Sequence, residues 1–357
     1  MIKLTHIIGS TEFAGAERFL LDICKKIDKD NFLLDVVILK KSNKELTQAL
    51  QEAGISFRVI DKRSKFDVKI IDRVADYLKQ TKPDIVHTHL FTADFWGAMA
   101  ARQANVKKIV STRHALLSEG TVRDKLAIKS RSKMDKIVAI SNAVRDFMIN
   151  KEKVDIDKVE LIYNGIDMNK FFVHNPSILN EPRIVIGSVG RLSKEKGHKH
   201  LIRACRFITA KKWELMLVGD GPMKNELQLL VKSLELKSNV KFIGSVLDVR
   251  SMLKDIDIFV LPSISEGLSL AVLEAAAAGK YVIATDVGGV PEIIEHNKNG
   301  LLFSPKSIEQ LVKHINWVID HKEEARKQSS LLQQKVKELF DINKAVKEYE
   351  RLYKGLV

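Results

Sequence analysis

Strand-like and helix-like segments alternate along this chain of 357 residues, in two successive blocks. In the first block, short apolar runs occupy residues 3–8, 34–39, 57–60, 85–89, 108–112, 136–140 and 159–163. Amphipathic stretches separate several of them, at residues 17–27, 44–53, 68–79 and 93–104. Strands that alternate with helices are typical of βαβ units, so this block predicts a parallel, doubly wound sheet.

The second block repeats the pattern after a break. Residues 174–182 contain two prolines and no hydrophobic period, so we place a linker there. Strands are then predicted at residues 183–190, 214–218, 241–243, 258–261 and 281–284, with a helix near 199–208 and a helical tail from 308 onward. The predicted fold class is α/β, with two Rossmann-like domains, 1–173 and 183–340, followed by a C-terminal helix over 341–357.

Composition agrees with a soluble two-domain protein. Hydrophobic residues make up 45% of the chain and charged residues 29%, which is the usual balance of a globular protein. The two cysteines, Cys24 and Cys205, have neither metal-ligand nor redox spacing, which favours a reducing cytosol. No apolar run approaches the ~18 residues that a membrane span needs, and the N-terminus resembles a first strand more than a signal peptide.

The charge is strongly positive and unevenly distributed. The net charge is +14, and the segment from Arg102 to Lys136 contains ten Lys or Arg residues but three acidic ones. Residues 121–133 place much of this charge on a predicted helix, which anionic lipid headgroups would attract by ~1 kcal/mol per basic residue. A solvated surface helix is the alternative interpretation. Nucleic acid is disfavoured, because aromatics are 6% of the chain and none lies among these cations.

Two glutamates, Glu266 and Glu274, are separated by eight positions in a segment that follows the strand predicted at 258–261. A helix starting near Gly267 would place Glu274 about two turns on and near the same face, since eight residues advance ~800°. Unpaired N–H groups and the helix dipole attract anions to such an end. The sequence thus predicts a phosphate cradle between two acidic acceptors, as a nucleotide sugar requires, made by the amides of Gly267, Leu268, Ser269 and Leu270.

Further motifs occur in order along the chain, at residues 14–18 (AGAER), 164–167 (NGID), 190–197 (GRLSKEKG), 218–222 (VGDGP), 278–292 and 299–303 (NGLLF). Together with the Glu-x7-Glu pair, this set resembles retaining GT-B glycosyltransferases, specifically glycosyltransferase family 4. The resemblance spans nearly the whole chain. It implies the GT-B architecture, two Rossmann-like domains facing each other across a cleft, with the last helix crossing back onto the N-terminal domain.

The resemblance also implies roles for residues of the second domain. Arg191 and Lys196, in the loop after Gly190, would bind the donor diphosphate and stabilise the negative charge that develops as it leaves. Glu274 would accept hydrogen bonds from the ribose, and Glu266 would contact the transferred sugar. The segment around Gly244 resembles the region that reads the nucleobase. For Arg191 and Lys196 the alternative interpretation is a pair of solvated loop cations.

Two residues of the first domain complete the candidate set. Gly15 lies in the first strand–helix loop, where a residue without a side chain lets backbone N–H groups approach a phosphate or sugar. The family usually has two adjacent glycines there, whereas this chain has Ala14 and Gly15. His114, after the strand at 108–112, resembles the histidine beside the transferred sugar. A structural histidine is the alternative.

Two patterns raise the question of a metal. His87 and His89 share one face of a strand, but the sequence offers no evident third ligand. Asp255 and Asp257 resemble an Asp-x-Asp metal motif, yet they directly precede a strand and are better explained as the end of a loop. We therefore predict transfer without a metal and without a cofactor.

The expected function is transfer of a hexose or N-acetylhexosamine from a nucleotide diphosphate sugar, UDP by family frequency, to a lipid-linked or cell-envelope glycan, with retention of the α configuration. The expected location is cytoplasmic and peripheral at the inner face of the membrane. A nucleotide-sugar epimerase on the same fold and a non-catalytic GT-B partner subunit remain alternatives. A dinucleotide-dependent oxidoreductase is disfavoured, because residues 9–15 lack the G-x-G-x-x-G spacing.

Overall fold

A computed structural model describes residues 1–9, 14–40, 44–64, 67–116, 122–174, 176, 179, 183–246 and 248–357, except for the side chains of residues 122–125 and 127. The chain divides into two compact units. Unit 1 comprises Met1–Gly165 and Ile342–Val357, and unit 2 comprises Ile166–Asp341. Most of the predicted linker, 174–182, lies outside the described residues. Residues 166–173 belong to unit 2, where Val173 donates its N–H to the carbonyl of Ala277.

Unit 1 contains a seven-stranded sheet in the order β3-β2-β1-β4-β5-β6-β7, and all its neighbouring strands run parallel. The strands are β1 (Ile2–Ile8), β2 (Phe32–Ile38), β3 (Ser56–Val59), β4 (Ile85–His89), β5 (Lys108–Arg113), β6 (Lys136–Ala139) and β7 (Val159–Leu161). The central strand β4 is buried along its whole length. Strands covered on both faces are largely apolar, and this pattern revealed the sheet in the sequence.

The helices of unit 1 before its last one are α1 (Gly15–Lys26), α2 (Glu45–Glu52), α3 (Ile70–Thr81), α4 (Leu90–Thr92), α5 (Ala98–Gln103), α6 (Val122–Arg131) and α7 (Asn142–Asn150). The single helix predicted over 93–104 is wrong in detail, because a π-helical turn, Ala93–Gly97, precedes α5. Asp94 in that turn is buried and accepts hydrogen bonds from Thr88 and Ser111. These bonds favour the wider turn over a regular helix.

Unit 2 contains a six-stranded parallel sheet in the order β10-β9-β8-β11-β12-β13. The strands are β8 (Ile184–Val189), β9 (Trp213–Val218), β10 (Val240–Gly244), β11 (Ile258–Leu261), β12 (Tyr281–Thr285) and β13 (Leu301–Phe303). In both sheets the first strand lies between the second and the fourth, which is the doubly wound Rossmann order. The three-residue β13 was not predicted, since so short a strand shows no hydrophobic period.

The helices of unit 2 are α8 (Met168–Phe171), α9 (His198–Cys205), α10 (Lys224–Ser233), α11 (Arg250–Asp255), α12 (Leu270–Ala277), α13 (Val290–Ile293), α14 (Ile308–Asp320) and α15 (Lys322–Leu339). The tail predicted as helical from residue 308 is interrupted at His321 and again at residues 340–341. Among the described residues, no helix combines the length and the apolar character that crossing a membrane demands.

The last helix, α16 (Ile342–Lys354), belongs to unit 1. It packs on α1, and Glu350 accepts the backbone N–H of Asp28 at 2.9 Å. Tyr349 and Tyr353 are fully buried on this helix. Unit 1 is therefore discontinuous in sequence, and its core includes residues of the C-terminal helix α16.

A close approach between backbones fixes the loop that follows β8. Gly197 has a φ of +66°, and a Cβ placed on it would lie 2.0 Å from the carbonyl oxygen of Pro262, which follows β11. Gly244 also has positive φ, +84°, but a Cβ there would have no described atom within 4 Å. Glycine adopts these angles without strain, and of these two positions only Gly197 has a neighbouring backbone that also excludes a side chain.

We expect Gly197→Ala to destabilise unit 2 far more than Gly244→Ala. The control variant has only the left-handed backbone strain, ~1–2 kcal/mol, whereas Gly197→Ala must also displace the Pro262 carbonyl. Urea unfolding of both variants measures the difference in the free energy of unfolding. Equal losses would show that the two backbones are not in contact.

A buried ion network joins four segments of unit 1. Arg131, 1% exposed, contacts Asp94 at 3.3 Å and Glu152 at 2.9 Å, and Arg113 also contacts Glu152, at 3.1 Å. Burial raises the pKa of Asp94. Among the described ion pairs, Arg131 is the cation that compensates Asp94, and it shares Glu152 with Arg113.

Arg131→Met should therefore destabilise unit 1 by about 3–5 kcal/mol, because it leaves the buried Asp94 without this cation and removes one of the two cations that contact Glu152. Lys136→Met is the matched control. Its ion pair with Glu160 is partly exposed, at 28% and 40%, and such pairs contribute about 0–1 kcal/mol. Urea unfolding followed by the fluorescence of Trp96, the only tryptophan of unit 1, measures both. A loss at Arg131 no larger than at Lys136 would contradict the role of the network.

Candidate functional site

The candidate site of unit 2 lies where its strand order reverses, between β8 and β11. These strands are hydrogen-bonded neighbours, with Ile258 opposite Ile186 and Phe259 opposite Gly187. Their carboxyl ends therefore lie side by side, and the loops that follow them are adjacent. Ligands of open α/β sheets bind at this kind of switch point.

The loop after β8 contains three of the predicted residues, Gly190, Arg191 and Lys196. Gly190 has a φ of +156°, and a Cβ on the neighbouring Gly219 would lie 2.0 Å from its carbonyl oxygen. The loop then forms a short 3-10 helix, Lys194–Lys196, while Arg191 is exposed. Glycines thus let the loops after β8 and β9 approach closely. Arg191 and Lys196 belong to the first of these loops.

Lys196 and Glu266 join the two loops directly. Lys196 Nζ lies 2.6 Å from Glu266 Oε1, and Ser263 Oγ donates to the same oxygen at 2.6 Å. Glu266 is buried, with 9% of its side chain exposed, whereas that of Lys196 is 27% exposed. The two residues, 70 positions apart in sequence, form one hydrogen-bonded unit at the switch point.

The structure corrects the start of the helix between the two glutamates. α12 begins at Leu270, with Ser269 as its N-cap, and not near Gly267. Ser269 Oγ accepts the N–H of Val272, and Leu268 is buried before the helix begins. Glu266 is therefore in the loop, and the prediction that it shares a helix face with Glu274 is wrong.

Glu274 is the fifth residue of α12 and is 3% exposed. Its neighbours Leu273 and Ala275 are both fully buried. A carboxylate at such a position must be compensated, because burying a charge costs several kcal/mol otherwise. Every other residue of α12 is Leu, Ala or Val.

Gly244, at the end of β10, is bridged to the end of β9. Gly219 donates its N–H to the carbonyl of Gly244 at 2.8 Å, and Gly219 in turn contacts Gly190. The carboxyl ends of β8, β9 and β10 are thus connected through three glycines. Because glycine has no side chain, a ligand can approach the backbone closely at these positions.

His198 was not singled out from the sequence. It is the first residue of α9, two positions after Lys196, and it is 3% exposed. Its Nδ1 has no hydrogen-bond partner within the described parts of the chain. Burial, reinforced by the charge of Lys196, lowers the pKa of His198 to about 4. The ring is therefore neutral at physiological pH beside the proposed phosphate cation.

In unit 1, His114 follows β5 and is half-buried, while Gly15 is the exposed first residue of α1. Residues 10–13 of the loop before Gly15 lie outside the described residues. His114 Nε2 lies 3.4 Å from His89 Nδ1, and its ring packs edge-on against Phe19. Burial, with a contribution from Arg113, lowers the pKa of His114 to about 4.

The fold supplies a third histidine next to His87 and His89, which the sequence did not reveal. His6, on the neighbouring strand β1, is opposite His87 in the register. Ligand atoms of the three buried rings lie within 4.8 Å of one another. However, hydrogen bonds to other rings or to hydroxyls already engage their nitrogens, except His6 Nε2. Five of the six ring nitrogens are thus engaged, and the geometry is that of a hydrogen-bonded ring cluster.

The acidic pair at Asp255 and Asp257 has a structural role. Asp257 accepts the backbone N–H of Leu179 through Oδ1 and that of Val185 through Oδ2, each at 2.9 Å. Asp255 ends α11. Both oxygens of Asp257 thus position the main chain around β8.

Two family models match the chain. "Glycosyltransferase Family 4" matches residues 13–170, and "Glycosyl transferases group 1" matches residues 169–332. One curated relative is the UDP-Gal:alpha-D-GlcNAc-diphosphoundecaprenol alpha-1,3-galactosyltransferase of Escherichia coli, 27% identical over 100% of this chain and 97% of that protein. Another is the N-acetyl-alpha-D-glucosaminyl L-malate synthase of Bacillus anthracis, 26% identical over 81% of this chain and 79% of that protein.

The fold is also shared with solved structures. Anabaena HepE in complex with UDP-glucose matches with a TM-score of 0.90 and 24% identity, over 99% of this chain and 100% of that one. Both of its Rossmann-like sheets therefore have counterparts here, and the expectation of a GT-B fold is confirmed. The chain belongs to the GT-B glycosyltransferases of family 4 and group 1.

Proposed function

We propose that this glycosyltransferase transfers a hexose or N-acetylhexosamine from a UDP-sugar to a lipid-linked or cell-envelope glycan. The transfer retains the α configuration and requires no metal. The observation that carries the proposal is the Lys196–Glu266 unit at the switch point of unit 2. It places a cation suited to a phosphate directly beside a carboxylate suited to sugar hydroxyls. A diphosphate linked to a sugar combines these two features in one molecule.

Among the described residues, the hydrogen bonds to the Glu266 carboxylate all go to one oxygen, Oε1. Lys196 and Ser263 both donate to Oε1. We assign Oε2 to hydroxyls of the transferred sugar.

The chemical step exchanges one bond at the anomeric carbon for another. The acceptor hydroxyl oxygen bonds to C1 on the face from which UDP departs, and the C1–O bond to the diphosphate breaks. The acceptor proton passes to the leaving phosphate oxygen. Arg191 and Lys196 stabilise the charge that develops on this phosphate, while His114 and Glu266 hold the sugar and Glu274 holds the ribose.

The choice of UDP is supported by the relatives. The Escherichia coli relative is named for UDP-Gal and the HepE structure contains UDP-glucose. Uridine would contact the backbone near Gly244, where a Cβ would have no described atom within 4 Å.

Metal-independent transfer is supported by the charges at the site. Arg191 and Lys196 provide two positive groups beside the glycine-lined strand ends, which is what a departing diphosphate requires. Asp257 of the acidic pair is already engaged with backbone amides.

The acceptor and location are inferred from unit 1. The Escherichia coli relative is named for a diphosphoundecaprenol-linked acceptor. The basic segment supports a peripheral membrane position, but the structure reduces its free charge, because several of its cations are paired with carboxylates: Lys108, Arg113, Arg131 and Lys136. Lys129 and Lys133 are exposed on or just after α6.

A donor panel tests the proposal. UDP-, GDP-, ADP- and dTDP-sugars are compared by thermal shift in EDTA, and transfer to a polyprenyl-diphosphate acceptor is followed by NMR. We expect stabilisation by a UDP-sugar and an α-anomeric product. Stabilisation only when a divalent cation replaces EDTA would contradict metal independence. Conversion of the sugar without an acceptor would identify an epimerase, and no response from a folded protein would favour a non-catalytic subunit.

The division of roles predicts different defects for two variants. Glu274→Ala should weaken donor binding by about 10- to 100-fold, the equivalent of ~1.5–3 kcal/mol for hydrogen bonds to a charged group. Arg191→Ala should mainly lower kcat, by about 100-fold or more. Lys232→Ala, an exposed cation on α10, is the control. Titration calorimetry and steady-state kinetics separate the two effects, and equal loss of both parameters in both variants would count against the assignment.

Lys125→Glu with Lys129→Glu should reduce binding to anionic vesicles, since each basic residue near such a surface contributes ~1 kcal/mol. The control, Lys232→Glu with Lys237→Glu, makes the same charge change at exposed positions of unit 2. Co-sedimentation with vesicles measures both pairs. Unchanged sedimentation of the first pair, or an equal loss in the control, would remove the argument for a membrane surface on α6.

A further inference from the structure

The histidines of unit 1 form a chain that leads from the core to His114. His6 Nδ1 lies 2.9 Å from His89 Nε2, and His89 Nδ1 lies 3.4 Å from His114 Nε2. His6 and His89 are fully buried, whereas His114 is half-buried. Three rings, contributed by β1, β4 and the residue after β5, are thus connected in sequence through both nitrogens of the middle ring.

Neighbouring aromatic groups hold this chain in place. His87 stacks on His89 with ring centroids 4.3 Å apart. His87 is itself bonded to Tyr353 Oη at 2.6 Å and to Thr112 Oγ1 at 2.8 Å. The middle ring therefore packs against a histidine that α16 fixes, and its freedom to turn is restricted.

Each ring of the chain carries one proton at physiological pH. Burial lowers the pKa of His6 to about 3. Burial, reinforced by the neighbouring histidines, lowers the pKa of His89 well below its usual value. Burial, with a contribution from Arg113, lowers the pKa of His114 to about 4. A neutral imidazole has one N–H donor and one acceptor nitrogen.

Bond counting then couples the tautomers. If His89 donates from Nδ1 to His114, its Nε2 must accept from His6 Nδ1, so all three rings are protonated on Nδ1. If His89 donates from Nε2 to His6, its Nδ1 must accept from His114 Nε2, so all three are protonated on Nε2. Any mixed arrangement places two donors or two acceptors against each other and loses a buried hydrogen bond, at a cost of ~1–3 kcal/mol.

We propose that His6 and His89 are positioning residues that fix the tautomer and ring orientation of His114, with the three imidazoles adopting one tautomer in concert. His6 would then determine whether His114 Nδ1, the nitrogen not used in the chain, is a donor or an acceptor. The consequence for sugar binding rests on the proposed function, in which His114 contacts the transferred sugar. The coupling of the tautomers does not depend on it.

The test is the ¹⁵N spectrum of the histidine rings in the full-length protein, in EDTA and without donor, because ring nitrogens with and without a proton resonate far apart. We expect His6, His89 and His114 to show the same tautomer. Mixed tautomers would overturn the proposal, as would a shift of the His6 or His89 resonances on addition of Zn²⁺, which would identify the cluster as a metal site. The wild-type spectrum alone decides this point, whatever the variants do.

Variants test the direction of the effect. His6→Phe should change the tautomer populations of His89 and His114, because a phenyl ring offers His89 Nε2 neither a donor nor an acceptor. His6→Asn, whose amide can take either role in the bond to His89, should keep the wild-type populations. His87→Phe is the matched control, since it removes a buried histidine of the same cluster but leaves the chain intact. An unchanged His114 spectrum in a folded His6→Phe protein would overturn the proposal.

Kinetics test the consequence for transfer. Partners that fix a histidine tautomer in metal sites contribute about 10- to 100-fold to activity, and we expect a loss of kcat in this range for His6→Phe, with rescue by His6→Asn. If the tautomer changes while kcat does not, the assignment of His114 to the sugar is wrong and the hydrogen-bonded chain stands. Failure of the donor panel would instead leave the spectrum unaffected, so the two proposals fail separately.

Discussion

The pairing of β8 with β11 in the second sheet determines where the candidate site lies. Because these strands are parallel neighbours, the loops that follow them emerge together, although their residues are far apart in sequence. Gly197 packs against the Pro262 carbonyl, and Lys196 then reaches Glu266. The site thus follows from sheet topology, and glycines permit the approach that the topology requires.

The sequence predicted the strands well where burial on both faces produced continuous apolar runs. β11, whose four residues are all apolar, has the predicted bounds. The start of α12 was predicted too early, because nothing in the sequence distinguishes an N-cap at Ser269 from a helix that already begins at Gly267. N-cap serines and ordinary loop serines look alike until the bond to the third residue is seen.

The histidine cluster shows a different limit. His87 and His89 were visible as a pair on one strand, but His6 lies 83 residues before His89 and joins it only through the register of β1 and β4. Similarly, the basic segment of unit 1 was predicted as a helix whose charge faces lipid headgroups or solvent. In the structure Arg131 is buried between Asp94 and Glu152, which were not recognised as its partners. Contacts between distant segments are what the sequence pattern leaves undetermined.

Hydrogen–deuterium exchange with and without UDP, in EDTA, tests most directly whether the strand ends of unit 2 bind the donor nucleotide. We expect bound UDP to slow the exchange of backbone amides after β8, around Gly190 and Lys196, and in the loop from Glu266 to the start of α12. Gly219 and Gly244, at the ends of β9 and β10, should be protected as well. Protection confined to other segments, or none at saturating UDP, would contradict the central claim.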